Sequence, residues 1–391
     1  MATLLSERFC LRQPRKNFSI NFRINPDDRA AYFGKAGVNM AIIDSIRERY
    51  MLGSQPKKYL YGQFGAGKTH TLFNIKYHLE ESPEAKRNTA YEVRCCPIDC
   101  EFKEKTDYSY LHAQMMEAVT LEAVREVVQE YLANNAGPQL EANLRRDFGD
   151  ANTARAVRAL GYAGEPIALW KWLCGGSLSS GELGSYNLTK NMDTVSEMYR
   201  ALVGIMRLFV QKDINYLFLF DEMEGLQNVR NVDCRESFQE GFRKLADDDN
   251  DVVGFVLSVF GMREETIPEF IYTEAIITRL NRSNIHGLEY LQRDEDIRQF
   301  LTDLFALVID PKMKSAMEEA GHIAKGLESY PLTDDAMDEL VALATSAPTA
   351  SLPRNFISAI NECAVQAARR NSYTIDHEDL KPAQAIFTEF L

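Results

Sequence analysis

The chain has 391 residues, 45% of them hydrophobic and 26% charged, with a formal net charge of −13, the balance of a soluble globular protein with core enough for one large or two ordinary domains. The acidic balance excludes a protein that coats nucleic acid non-specifically. No apolar run reaches the roughly 18 residues that span a bilayer, and Met1–Cys10 has no signal-peptide core, so a cytoplasmic location away from membranes is expected.

Residues 1–30 lack periodicity, contain Pro14 and Pro26, and read as a basic N-terminal arm. Residues 1–60 hold eleven Lys/Arg against five Asp/Glu, net +6 in an otherwise acidic chain. Such an excess reads as a solvated surface, a subunit contact, or a face for DNA or a partner. A helix is expected around residues 38–50, where Met40, Ile43 and Ile46 recur at helical spacing, and Gly53 to Pro56 break it. A short strand at residues 59–61 then runs into a glycine loop, and a helix follows over 69–80. Another strand is expected over 90–98, and a helix from Tyr108. Cys95, Cys96 and Cys100 cluster, with His112 as the nearest further metal donor, but a zinc site needs a second pair at fixed spacing. Reduced core thiols are the default.

Residues 117–190 read as a helical insertion, with helices over 121–132, 140–148 and 153–160 and a Gly/Ser-rich turn region over 175–184. An amphipathic helix follows at 195–210. The uninterrupted apolar runs 216–220 and 252–259 read as strands buried on both faces of a parallel sheet. Strands alternating with helices predict an α/β core over 31–290. From 291 to 391 the pattern is helical throughout (293–307, 313–325, 333–346, 353–370), which predicts an all-α lid.

The run Gly62, Gln63, Phe64, Gly65, Ala66, Gly67, Lys68, Thr69 fits G-x-x-x-x-G-K-[ST] at every fixed position. Glycines let backbone N–H groups curl round phosphate oxygens, and the helix that follows, with His70 in its first turn, presents its positive end to the same charge. Lys68 is expected on the β- and γ-phosphates of ATP, and Thr69 on Mg²⁺. Downstream, the apolar run ends in Asp221 and Glu222. Asp221 is expected to hold the metal, and Glu222 to act as general base toward the attacking water. Glu224 reads as surface or capping.

With both motifs in place, the chain resembles the AAA+ ATPases over roughly residues 30–370. Tyr32, Phe33, Gly34 and Lys35 resemble that superfamily's adenine-contacting motif. Ser258 falls where the family carries its sensor-1 polar residue, more often Asn. Arg279, with Arg282 as the alternative, falls where an arginine finger serves the neighbouring subunit. Arg354, within Leu352-Pro-Arg-Asn-Phe356, resembles the sensor-2 arginine of the lid. Within the superfamily the chain looks similar to the initiator-like clade of origin-recognition ATPases and transposition regulators. Through residues 170–176 and 220–226 it also looks similar to ATP-binding proteins of bacterial BREX phage defence. Trp170 and Trp172 in that stretch also read as core packing.

The resemblance implies a homo-oligomer with ATP sites shared between subunits, switching or remodelling a protein or nucleoprotein complex, with a protein effector as a partner. A slow-hydrolysing, ATP-gated adaptor is one alternative. A DNA-binding transposition or replication regulator is another, although only about twenty residues follow Arg370, where initiator relatives carry a winged-helix domain.

Overall fold

The computed structural model describes residues 2–33, 36–135, 139–164, 166–247, 251–261, 273–288 and 291–388. It divides into two compact units: Ile43–Tyr61 with His78–Gly287, and Met1–Ile42 with Gly62–Tyr77 and Leu288–Leu391.

The first of these holds a five-stranded sheet in the order β2-β3-β4-β1-β5. The strands are β1 (Lys57–Gly62), β2 (Glu92–Asp99), β3 (Ile214–Asp221), β4 (Gly254–Phe260) and β5 (Ile285–Leu288). β2 and β3 run parallel in register from Glu92↔Ile214 to Asp99↔Asp221, and β4 continues the parallel order from Leu217↔Gly254 to Phe220↔Leu257. β3 is buried along nearly its whole length, as its unbroken apolar run predicts. β5 was not expected, because four residues carry too short a pattern to register.

Phe218, Phe220 and Phe255 from the sheet share one core with Met115 and Met116 of the helix Tyr108–Val119 and with Ile205 and Phe209 of the helix Val195–Val210. A reciprocal cap starts the latter helix, with Thr194 accepting from the Glu197 N–H and Glu197 accepting from the Thr194 N–H. The insertion is helical as expected (Leu121–Asn134, Leu140–Phe148, Ala151–Tyr162, Ile167–Leu173) and buries Val128, Phe148 and Leu160 in that same core. Even its Gly/Ser-rich stretch forms a short helix, Ser180–Ser185, started by a Ser179/Glu182 capping box.

In the other unit, the helices Asp294–Val308, Pro311–Glu319, Asp334–Ser346, Pro353–Arg369 and Lys381–Thr388 build an all-α body around Phe300, Leu340, Phe356 and Phe387. The N-terminal stretch expected as an arm is part of this body. It forms helices Ala2–Arg8 and Pro26–Ala30 and places Leu5, Phe9, Leu11 and Phe18 in the same core. Leu11 pairs with Ile309 in an antiparallel bridge, and Arg12 donates to the carbonyls of Ile309 (2.9 Å) and Ala306 (3.1 Å). Its apolar residues are too few and too irregular to show a period, yet single phenylalanines fill gaps between the helices of this body. The α/β parallel-sheet core with a helical insertion and a following helical body is thus the fold class the sequence predicts.

Candidate functional site

β1 leads directly into the glycine loop. Gly65 and Gly67 sit at φ +84° and +92°, a region that a side chain strains, and Gly67 caps the nine-residue helix Lys68–Lys76 without a side-chain bond. The first-turn N–H groups of such a helix have no intrahelical acceptor and point out of its N-terminus. Lys68 is largely buried, its Nζ donating to the carbonyls of Gly62 (3.0 Å) and Gln63 (3.3 Å) and lying 5.3 Å from the centre of the Phe64 ring. The ammonium is therefore curled inside its own loop, where an anion would compete with two neutral carbonyls. Phe64 itself is 58% exposed and Ala66 fully buried. Thr69 follows Lys68 in the first turn, half-buried, its hydroxyl in no hydrogen bond among the described residues.

Arg354 lies against this loop. It is the second residue of the helix Pro353–Arg369, and a Cβ added at Gly65 would come within 2.9 Å of the Arg354 Cβ. Its guanidinium is exposed and has no hydrogen-bond or ion-pair partner among the described residues.

The side chain of His70 serves a different purpose from phosphate binding. Its Nε2 is 2.9 Å from the Asp28 carbonyl, and its ring packs edge-on to Phe22 and Phe33. Asn74, one turn on, donates to the Arg29 carbonyl at 2.8 Å. Asp28 is fully buried, paired with Arg15 and accepting from the Asn21 N–H (2.6 Å) and Asn25 Nδ2 (2.9 Å). The N-terminal segment is thereby clasped onto the helix that follows the glycine loop, a contact that no local pattern announces. Tyr32 donates to the Met40 sulfur at 2.8 Å. Gly34 and Lys35 of the same motif lie outside the described residues.

In the sheet-bearing unit, Asp221 closes β3 and is 4% exposed. Its Oδ1 accepts from the Ser258 hydroxyl and from the Glu222 N–H (3.0 Å), while Oδ2 is buried with no donor among the described residues. A buried carboxylate oxygen without a partner is costly unless a cation or its water meets it, so Asp221 fits a metal ligand. Ser258, fully buried within β4, is thus spoken for by Asp221. Glu222 is exposed and sits at φ +58°, ψ +32°, an uncommon position for glutamate of the kind that clusters at functional sites. Glu224, expected at the surface or as a cap, is half-buried and accepts the Phe260 N–H at 3.0 Å, tying the turn after β3 to the end of β4.

Asp99, the register partner of Asp221, brings a second, exposed carboxylate to the same end of the sheet. The sequence signals it only as an acid closing a strand. Beside it, burial, with Asp221 and Asp99 adding to it, pushes the Cys100 thiol up, which makes it an inert core group. His112 is buried, bonded to the Leu173 carbonyl at 2.7 Å and lowered by burial to about 4, a structural histidine.

Arg279 lies on the helix Glu274–Leu280, its NH1 on the Ala275 carbonyl (2.7 Å) and its Nε 3.8 Å from Asp247 Oδ2. Arg282 opens a 3-10 turn, Arg282–Asn284, and is exposed. Both line one polar cleft with Arg49, Lys57 and Asn284. Trp172 is buried with its Nε1 on the Lys190 carbonyl (3.2 Å), so it is a packing residue, and Trp170 packs against the same core.

No protein-family model and no curated protein matches the chain. Among solved structures, the Aeropyrum pernix ORC2 protein in its ADPNP–ADP complexes is 11% identical, with 89% of this chain and 67% of that one covered at a TM-score of 0.48. Its ADP form gives 12%, 89%, 67% and 0.47. Domain III of the Thermotoga maritima replication initiation protein DnaA is 13% identical over 91% of this chain and 92% of that one, at 0.39. Likeness at this level assigns the chain neither a family nor an activity. No helix among the described residues is long and apolar enough to cross a membrane.

Proposed function

We propose that the protein is an oligomeric ATPase of the AAA+ kind, which uses ATP binding and hydrolysis to switch or remodel a protein or nucleoprotein complex. The observation that carries this reading is the conformation of Gly62–Thr69, with positive φ at Gly65 and Gly67 and the Lys68 ammonium held by the loop's own carbonyls. On this reading Gly62, Gln63, Phe64, Gly65, Ala66 and Gly67 cradle the phosphates through their backbone, together with the first-turn N–H groups of Thr69 and His70. Lys68 exchanges two carbonyls for phosphate oxygens, and Arg354 adds charge to the γ-phosphate. Thr69 and Asp221 Oδ2 would hold Mg²⁺, whose bound charge eases phosphoryl transfer. Glu222 accepts the proton of the attacking water.

Arg279 or Arg282 is read as the trans-acting finger, which makes the oligomer part of the active unit. A role in bacterial anti-phage defence and a separate effector protein belong to the same proposal. For DNA contact through the N-terminal basic region the charge is less available than its sum suggests. Arg12, Arg15, Lys57 and Lys58 are all engaged in contacts within the protein.

Nucleotide titration and steady-state hydrolysis of Lys68→Ala test the cradle. The variant is expected to stay folded and to lose both ATP affinity and turnover, whereas retained affinity in a folded variant overturns the assignment. Mixing tests the shared site. Arg279→Ala keeps its cradle and Lys68→Ala keeps its arginine, so two inactive proteins should regain activity together. Rescue by Arg282→Ala instead would identify Arg282 as the finger.

A further inference from the structure

Lys58 is 1% exposed on β1, which the sheet order places between β4 and β5. Its Nζ has hydroxyl and amide partners rather than a carboxylate, donating to Ser45 Oγ at 2.6 Å and Asn284 Oδ1 at 2.7 Å. Burial lowers its pKa to about 8, helped by the Arg49 charge and opposed by Glu48. His286 on β5 is lowered to about 4 by burial and by Lys58, and its Nε2 is buried without a hydrogen-bond partner among the described residues. Burying a cation this way is unfavourable, and one documented reason for keeping such a group is that it fixes an arrangement.

The arrangement in question runs through Asn284. Its Oδ1 accepts from Lys58, and its Nδ2 donates to the carbonyl of Leu280, the last residue of the helix that carries Arg279. Its N–H donates to the Asn281 carbonyl at 3.0 Å, closing the turn that carries Arg282. Asn281 sits at φ +62°, so the direction of the chain changes between the two arginines. Without an anchor, a seven-residue helix and a single 3-10 turn are too short to hold their own orientation.

We propose that Lys58 is the positioning residue of the arginine-bearing segment, fixing through Asn284 how Arg279 and Arg282 are presented to a neighbouring subunit's nucleotide. This rests on the trans-arginine reading above. β1 thereby joins two tasks in one strand, leading into the phosphate loop of its own subunit and anchoring the arginines that serve another.

The test is Lys58→Met in the full chain, a replacement of similar length without charge. Four measurements are made: melting temperature, ATP affinity, turnover, and hydrogen exchange of the amides of residues 280–286. The melting temperature is expected to hold or rise, since apolar replacement of a buried ion is often neutral or stabilising. ATP affinity should stay unchanged, while exchange quickens and turnover falls, each by roughly tenfold or more, the worth of a hydrogen bond to a charged group. Asn284→Leu, which cuts the same chain of bonds from the other side, should reproduce both changes and serves if Lys58→Met does not fold. Unaltered exchange, or full turnover while an Arg279 or Arg282 variant is inactive, overturns the positioning role. If Arg279→Ala and Arg282→Ala both hydrolyse ATP normally, the trans-arginine reading itself falls, a result distinguishable from failure of Lys58 alone.

Discussion

In the glycine loop, the proposed phosphate-binding groups lie in eight consecutive residues, and the loop's own backbone holds Lys68 through carbonyls five and six positions away. At the end of β3 the means are different. Asp221 is held by Ser258, 37 residues on, and Glu224 by the Phe260 N–H, 36 residues on. The first arrangement is written locally in glycine positions. The second exists only because β3 and β4 lie side by side in the sheet. Damage to the loop should therefore come from residues inside it, whereas damage to the acidic end can come from a strand that carries no catalytic group.

The largest effect is expected at Glu222. With Glu222→Gln the amide keeps the shape but cannot take the proton, so hydrolysis should fall by roughly 10²–10⁴ with ATP affinity retained. Near-normal turnover in single-turnover assays would move the base elsewhere, Asp99 being the next carboxylate at that end of the sheet.

Gly65→Ala sharpens the local side of the comparison. A methyl group there meets a left-handed backbone and the Arg354 side chain at once. At about 1–3 kcal/mol of strain, ATP affinity should weaken by roughly tenfold to a hundredfold. Wild-type affinity by calorimetry would show that the loop tolerates what its geometry forbids.

Ser258→Ala probes the long-range side. Losing a donor to a charged oxygen costs about 1.5–3 kcal/mol, so the Mg²⁺ requirement should rise roughly tenfold, with Ser258→Thr restoring it. Mn²⁺ titration followed by electron paramagnetic resonance, with a non-hydrolysable ATP analogue bound, reads this independently of turnover. Equal Mn²⁺ affinity in both proteins would break the link between Ser258 and Asp221.

A further effect is on stability alone. The Lys58 pKa falls from 10.5 to about 8 on folding, so between those values the unfolded chain binds more protons and stability rises with pH. The penalty for the buried charge is full below about 8, with Arg49, Glu48 and His286 as its charged or titratable surroundings. Lys58→Met lacks this titration. Its advantage in unfolding free energy over the wild type should therefore shrink by up to about 3 kcal/mol from pH 7.5 to 10.5 in urea titrations. A constant difference across that range would mean that Lys58 keeps its ordinary pKa.

Much of this protein is legible in its sequence because the relevant physics is short-ranged. The largely apolar runs of β3 and β4 predict strands buried on both faces, and the glycine spacing before Lys68 predicts a loop with its backbone N–H groups exposed to an anion. Helical periodicity located the helices of the insertion and of residues 294–388. Two local irregularities also stand out in the sequence: a serine inside the largely apolar strand Gly254–Phe260, and a lysine at position 58 within β1. Each is a polar group where the pattern demands burial, and each proves to hold something distant. Local pattern could not supply their partners, because Ser258–Asp221 and Lys58–Asn284 are hydrogen bonds between segments 37 and 226 residues apart. The same holds for the N-terminal stretch, whose aperiodic phenylalanines become core only where the C-terminal helices offer them a gap. Periodicity and glycine geometry are properties of neighbours in the chain. Which buried polar atom meets which is settled by packing, since each must find a partner wherever the fold brings one.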